Sequence, residues 1–252
     1  MADAVASEAG HWYAKDGTPR YETDGRPTTL RDARKQGLLP SVSMIAKCAS
    51  AYHLEQWKRK RDLRNAIVNP YSSSEEIESY VERIISISDG EGAKVMDLGS
   101  AIHGCIECHL LSKQFDLEYK QHVDGALECL AGWCGLDGLL PEKSFAHPLG
   151  YGGKCDAHKK GWVADYKTKD FGPEDQLKAW DNHAIQLAAY REGFVMPNAR
   201  CAIIYVSTRV PGLTHLVEVE EKKLKKGWGM FKGLLDYWQH KNSYMVKETV
   251  YA

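Results

Sequence analysis

No run of apolar residues in this 252-residue chain approaches the ~20 that a membrane-spanning helix needs, which excludes a helical membrane protein. The polar, acidic start lacks the basic and apolar pattern of a secretory leader, so a cytoplasmic protein is expected. An excess of charge of one sign is missing too. With 33 Lys and Arg against 34 Asp and Glu, the net charge is −1, which excludes a uniformly basic nucleic-acid coat. Internal repeats and long low-complexity tracts are absent, which excludes a repeat array. The seven cysteines form an odd set without secretory context, so reduced thiols are expected instead of a disulfide framework.

What is present suffices for a packed core. Hydrophobic residues make up 43% of the chain, and the length suits one domain with an elaborated N-terminus. Ser41 can cap a short helix beginning VSMIAK, and residues 51 to 67 continue as a strongly charged one. In SSSEEIESYVERIISISDG, Ile77, Val81, Ile84 and Ile85 form an apolar face that should end at Asp89-Gly90. Helices are expected around His103 and from Val123 to Trp133, then a strand at EKSFAHP. After a hairpin and a further helix come two strands, RCAIIYVST and THLVEVE, joined through Pro211-Gly212, and a final helix from about Glu221 to Lys241. The pattern is α/β, a mixed central sheet flanked by helices. It divides into a helical N-terminal region, 1–90, packed on a core of 91–252.

The hairpin GYGGKCDAHKKGWVADYKTKD carries the chemistry. Its turn cluster, Lys159, Lys160 and Gly161, sets a loop that pairs Asp156 with Asp165, with Cβ atoms ~5 Å apart. Alternation places Lys167 on the same face as Asp165. Aspartate is disfavoured in strands, and opposed carboxylates cost stability unless a cation lies between them. The pair therefore suggests a divalent metal. Mg²⁺ suits it, since that ion takes one or two protein carboxylates and keeps waters for a phosphate. Lys167 adds a positive charge beside it.

Two helices flank this hairpin in sequence. In LGSAIHGCIECHLL, Ile102, Ile106 and Leu110 form a buried stripe, with His103 and Glu107 as a second row. In HAIQLAAYREG, Gln186 and Tyr190 lie four apart, while Ile185, Leu187 and Ala189 can pack. Taken singly, each is most simply a packed helix with a few polar residues.

Together, in this order, the segments resemble the RecB-like branch of the PD-(D/E)XK nucleases, including phage-encoded exonucleases. Asp156 followed by Asp165-Tyr166-Lys167 matches the motif of acids and lysine, with Cys155 where the name-giving proline would be. His103 matches the histidine of a G-x-x-x-H helix, and Gln186 and Tyr190 match a Q-x-x-x-Y helix. The opening HWYAKDGTPRYETDGRPTTLRDARKQGLLPSVSMIAK is also similar to the N-terminal region of such exonucleases. The resemblance implies a restriction-endonuclease-like core and cleavage of DNA with one or two Mg²⁺ or Mn²⁺ ions. These would be held by Asp156, Asp165, His103 and the Tyr166 carbonyl. It further implies that Lys167 orients water or lowers its pKa, that Gln186 orients substrate or the lysine, and that Tyr190 contacts DNA or braces the site. Glu107 and Glu142 are further acidic candidates.

The setting so implied is phage replication or recombination in a bacterial cytoplasm, with DNA as partner and a phage single-strand annealing or binding protein as a candidate second one. Local basic clusters would contact phosphates, Lys58, Arg59, Lys60 and Arg61 in one and Lys222 and Lys223 in the other. Some relatives carry an iron–sulfur cluster on one cysteine before the core and three after it. Here Cys201 alone follows the Q-x-x-x-Y helix, so no cluster is expected. The alternatives are a catalytically silent DNA-binding recombination partner, a structure-specific endonuclease of the same fold, and a zinc-stabilised module built on Cys105, Cys108 and His109.

Overall fold

The computed structural model describes residues 10–49 and 52–246. Short elements come first: β1 (Trp12–Tyr13), β2 (Glu22–Thr23), β3 (Arg26–Pro27), α1 (Leu30–Gln36), β4 (Leu39–Pro40) and α2 (Val42–Ala46). Helices α3 (Tyr52–Val68), α4 (Ile77–Leu110) and α5 (Lys120–Cys134) follow. Then come β5 (Leu140–Pro141), β6 (Ser144–His147), β7 (Tyr151–Lys154), β8 (Ala157–Lys159) and β9 (Trp162–Lys169). The chain ends on α6 (Asp181–Gly193), β10 (Arg200–Ser207), β11 (Thr214–Val219) and α7 (Glu221–Lys241).

Turn chemistry sets the centre of the fold. Gly161, at φ 84°, takes the left-handed conformation open to glycine and closes the β8–β9 hairpin. Around it forms a five-stranded sheet in the order β11-β10-β9-β8-β5. Strands β9 and β10 run parallel, and α6 makes the crossover that parallel strands require. The other pairs are antiparallel, so the sheet is mixed.

Alternation along β9 then sorts side chains onto two buried faces. Val163 packs with Ile203, Tyr205, Leu187 of α6 and Phe231 of α7 in one cluster. Ala164 and Tyr166 pack with Ile204, Ile102 and Ile106 of α4, and Val123 of α5 in the other. Helices therefore cover both faces, the α/β arrangement expected. No helix among the described residues is long and apolar enough to cross a membrane.

The N-terminal elements pack on this core. Trp12 is fully buried, edge-on to Trp238 and Tyr244. Strand β1 pairs with β4, and Ser41 bridges to Gly152 of β7. A Cβ on Gly152 would lie 2.6 Å from that of Tyr13, so glycine there lets the N-terminal segment close against β7. Ser41 caps α2 through the Met44 amide, as its sequence indicates.

The expected helix stop at Asp89-Gly90 is corrected. Helix α4 runs 34 residues straight through it, across the 90/91 border between the two expected regions. An isolated glycine in a helix costs only about 1 kcal/mol, and contacts with α3 outweigh that. Asn65 donates to Ser88 Oγ and Glu91 Oε2, both at 3.0 Å, bridging the helices on either side of Gly90. The expected apolar face is corrected as well: Ile84 is buried, whereas Ile77, Val81 and Ile85 are exposed. Helices α3 and α4 thus form an arm whose outer surface holds much of the apolar stripe.

Candidate active site

The site lies where two sheets part. Strand β7 pairs with β6, β8 pairs with β9, and the chain crosses between them at Cys155 and Asp156. The register is the one inferred from the turn: Ala157 faces Ala164, His158 faces Val163, and Lys159 faces Trp162. Asp156 and Asp165 are next in line, but β8 has already ended. Instead of continuing the ladder, Asp156 Oδ2 accepts the Tyr166 amide at 2.6 Å. A strand residue points its amide and carbonyl to the same edge, so the Tyr166 carbonyl faces this gap too. The cluster expected on one sheet face is accordingly rearranged. Asp165 and Lys167 occupy the face under α6, and Asp156 approaches from the open edge.

His103 approaches from the opposite face, where its ring meets that of Tyr166 edge-on at 5.6 Å. Its Nδ1 is 3.7 Å from Asp156 Oδ2. Gly99, one turn earlier, makes this approach feasible, since a Cβ there would lie 2.7 Å from Thr168 Oγ1 of β9. The glycine of G-x-x-x-H is therefore a close-packing requirement that brings the histidine down to the sheet.

Charge in the gap is strongly coupled. Burial, then the charge of Asp165, holds the Asp156 carboxyl well above the usual aspartate range, against the pull of Lys167 and the Tyr166 amide. Burial opposes the charge of Lys167, but Asp165 and Asp156 outweigh it and raise its pKa. Burial takes His103 down to about 4, leaving a neutral imidazole at pH 7. Lys167 Nζ pairs with Asp165 Oδ2 at 2.6 Å, so the base is seated directly on one of the two acids.

These residues fit a hard divalent ion. Two carboxylates whose charges oppose one another, a neutral imidazole and a strand carbonyl at the sheet edge are the donors that Mg²⁺ or Mn²⁺ accepts alongside water. Among the described residues, no three His, Cys, Asp or Glu side chains already converge as a metal cage. Cys105 is buried in the core and Cys108 is half-buried on α4, while His109 is exposed.

A cavity of about 370 Å³ opens from the gap, lined among others by His103, Glu107, Glu142, Asp156 and Tyr190. Glu107 and Glu142 thus join the site. Tyr190 is buried, and Gln186 is half-buried on α6. The basic clusters do not line this cavity. Lys58, Arg59 and Lys60 are exposed on α3, Lys58 being paired with Glu55 at 3.3 Å, and Arg61 is engaged with Asp62 at 3.1 Å and Asp89 at 3.7 Å. Lys222 and Lys223 are exposed in the first turn of α7.

Several neighbours escaped the sequence reading. His11, Tyr13, Tyr21 and Lys154 line the cavity. Lys154 was legible, being two residues before Asp156. His183 is buried, and its Nδ1 lies 3.3 Å from the hydroxyl of Tyr205, which stands beside Lys167 in the parallel register. Its signal was its position, one helical turn before Gln186.

Fold and site together define an α/β protein with a mixed sheet, open at one edge around two carboxylates, a lysine and a histidine. The chain matches no protein-family model and no curated protein. A solved structure described as "Crystal structure of SSO0001" shares 18% identity at a TM-score of 0.26, over 45% of this chain and 56% of that one. So slight a likeness carries no argument.

Proposed function

We propose that this chain is a divalent-metal-dependent DNA nuclease, acting as an exonuclease in phage replication or recombination. The observation that carries the reading is the gap at the end of β8, where the charges of Asp156 and Asp165 act on one another beside Lys167. Asp156, Asp165, His103 and the Tyr166 carbonyl would hold one or two Mg²⁺ or Mn²⁺ ions. The bound ion supplies an activated water and neutralises charge developing on the scissile phosphate.

The chain's own groups do the rest. Lys167 is favoured in its charged form by its two aspartates. It orients the attacking water and stabilises its negative charge. The Tyr166 amide fixes Asp156. Neutral His103 offers a ring nitrogen beside that carboxylate. Gln186 and Tyr190 brace the substrate side of α6. Exposed Lys58, Arg59 and Lys60 would meet the phosphate backbone, with Lys222 and Lys223 as a second contact. A single-strand annealing or binding protein is the second partner this role calls for.

The test is digestion of end-labelled DNA with Mg²⁺ or Mn²⁺, with and without EDTA, comparing linear molecules with covalently closed circles, single-stranded and duplex. Metal-dependent loss of linear DNA with circles spared supports the proposal. Efficient cutting of closed circles would show an endonuclease, and no cleavage of any substrate would overturn the nuclease reading.

A further inference from the structure

The cavity beside the carboxylates extends away from them into a compartment walled by the N-terminal segment. Asp156, His103 and Tyr190 line one part, and His11, Tyr13 and Tyr21 another. The rings of His11 and Tyr21 stack at 4.5 Å, and Tyr13 meets Tyr21 edge-on with their hydroxyls 2.9 Å apart. This aromatic wall is held in place by the β1–β4 pair and the Ser41–Gly152 bridge, so it belongs to the folded core.

The other lining groups say what the compartment would take. Lys154 is paired with Glu142, so its charge is already balanced, and Glu107 and Glu142 both line the cavity. Phosphate would meet carboxylates here, with no spare positive charge from Lys154. A neutral group with a flat ring and hydrogen-bond donors would meet stacked aromatic rings, acceptor oxygens and the hydroxyls of Ser41, Ser43 and Ser100. Burial and the charges of Lys47 and Lys154 keep His11 below its usual pKa, which favours a neutral ring for stacking. The volume of about 370 Å³ lies at the lower end for small-molecule pockets, the scale of a single nucleoside.

We infer that this compartment receives the terminal nucleoside of the strand being cut, its base against the His11–Tyr21 stack while the adjoining phosphate lies at Asp156 and Asp165. The inference rests on the nuclease reading and adds a physical reason for requiring an end. The nucleoside enters the pocket, and its 5′ or 3′ phosphate, if present, is not what is recognised.

The experiment pairs kinetics with direct binding. Metal-dependent cleavage is measured on linear oligonucleotides that end in an ordinary or an abasic nucleotide, with and without a terminal phosphate. Base–aromatic stacking is worth about 1–3 kcal/mol per base, so the abasic end should raise KM by roughly 5- to 150-fold for the wild type. The terminal phosphate should change it by less than about threefold. His11→Ala, at an exposed position, should abolish most of the abasic penalty. His109→Ala, outside the cavity, should retain the penalty.

Binding of deoxyadenosine to the metal-free protein in EDTA, read by saturation-transfer NMR, separates the two claims. Binding lost in His11→Ala but without DNA cleavage by the wild type would overturn the nuclease reading and keep the pocket. Cleavage with no abasic penalty, a penalty unchanged in His11→Ala, or a strict need for a terminal phosphate would overturn the pocket and keep the nuclease.

Discussion

The Tyr166 amide donates to Asp156 Oδ2 across 2.6 Å, replacing the ladder bond that β9 would make if β8 continued. The strand carrying Asp165 and Lys167 thereby positions the carboxylate opposite them. Its geometry does not depend on a mobile loop.

On this arrangement, Asp165→Asn and Lys167→Ala should each lower cleavage by about 10²-fold or more while leaving the circular-dichroism spectrum unchanged. Single-turnover digestion of end-labelled DNA measures the loss. A normal rate for Asp165→Asn would remove the site assignment.

His103 and His109 share α4 but not a face. His103→Ala should weaken activation by Mn²⁺ about 10- to 100-fold, the scale on which metal-site groups act, and His109→Ala should change it little. Titration of activity against Mn²⁺ separates them. Equal effects would assign both histidines to helix packing.

Asp156 links the metal-free fold to pH. Its carboxyl is held well above the usual range by burial and then by Asp165, so the folded state binds that proton more tightly than the unfolded chain. The resulting stability is fully present below the unfolded pKa of about 4 and is lost as pH rises through the folded value. In EDTA, the wild-type melting temperature should therefore fall relative to Asp156→Asn as pH rises from about 4 towards neutrality, and Mg²⁺ should narrow the difference. Parallel curves for the two proteins in EDTA would contradict the buried-charge account.

Gly99→Ala places a methyl group 2.7 Å from Thr168 Oγ1 and should push α4 off β9. A displacement near 1 Å can cost 10²-fold in rate, so turnover should drop more than stability does. Adding Thr168→Ala removes the obstructing oxygen and should restore much of the activity. If the second substitution restores nothing, close packing at Gly99 is not what seats His103.

The hairpin was legible because its information is local: a Lys-Lys-Gly turn sets the register, and alternation orders Asp165, Tyr166 and Lys167. The same holds for α7, expected from about Glu221 to Lys241 and found over those residues, and for Ser41 as a cap. The departure of β7 towards β6 was not legible, since Cys155 and Asp156 carry no break signal. That separation is what moves Asp156 to the sheet edge. Helix α4 was misjudged because Asp89-Gly90 reads locally as a stop, whereas Asn65 stabilises the helix from α3. His11, Tyr13 and Tyr21 reach the cavity through the contact of Ser41 with Gly152, a pairing between distant segments that no short window contains.

Helix α4 has the proportions of a lever. Its 34 residues make a rod of about 50 Å at 1.5 Å per residue, with the apolar arm at one end and His103 and Glu107 near the other. No loop intervenes to absorb a pull on the arm, so such a pull reaches His103 as a tilt of the whole rod. The turn containing Gly90 and Gly92 has the most intrinsic backbone freedom, and Asn65 braces it from α3. The bending stiffness of that turn sets how much load on the arm is transmitted to the carboxylates and how much is dissipated on the way.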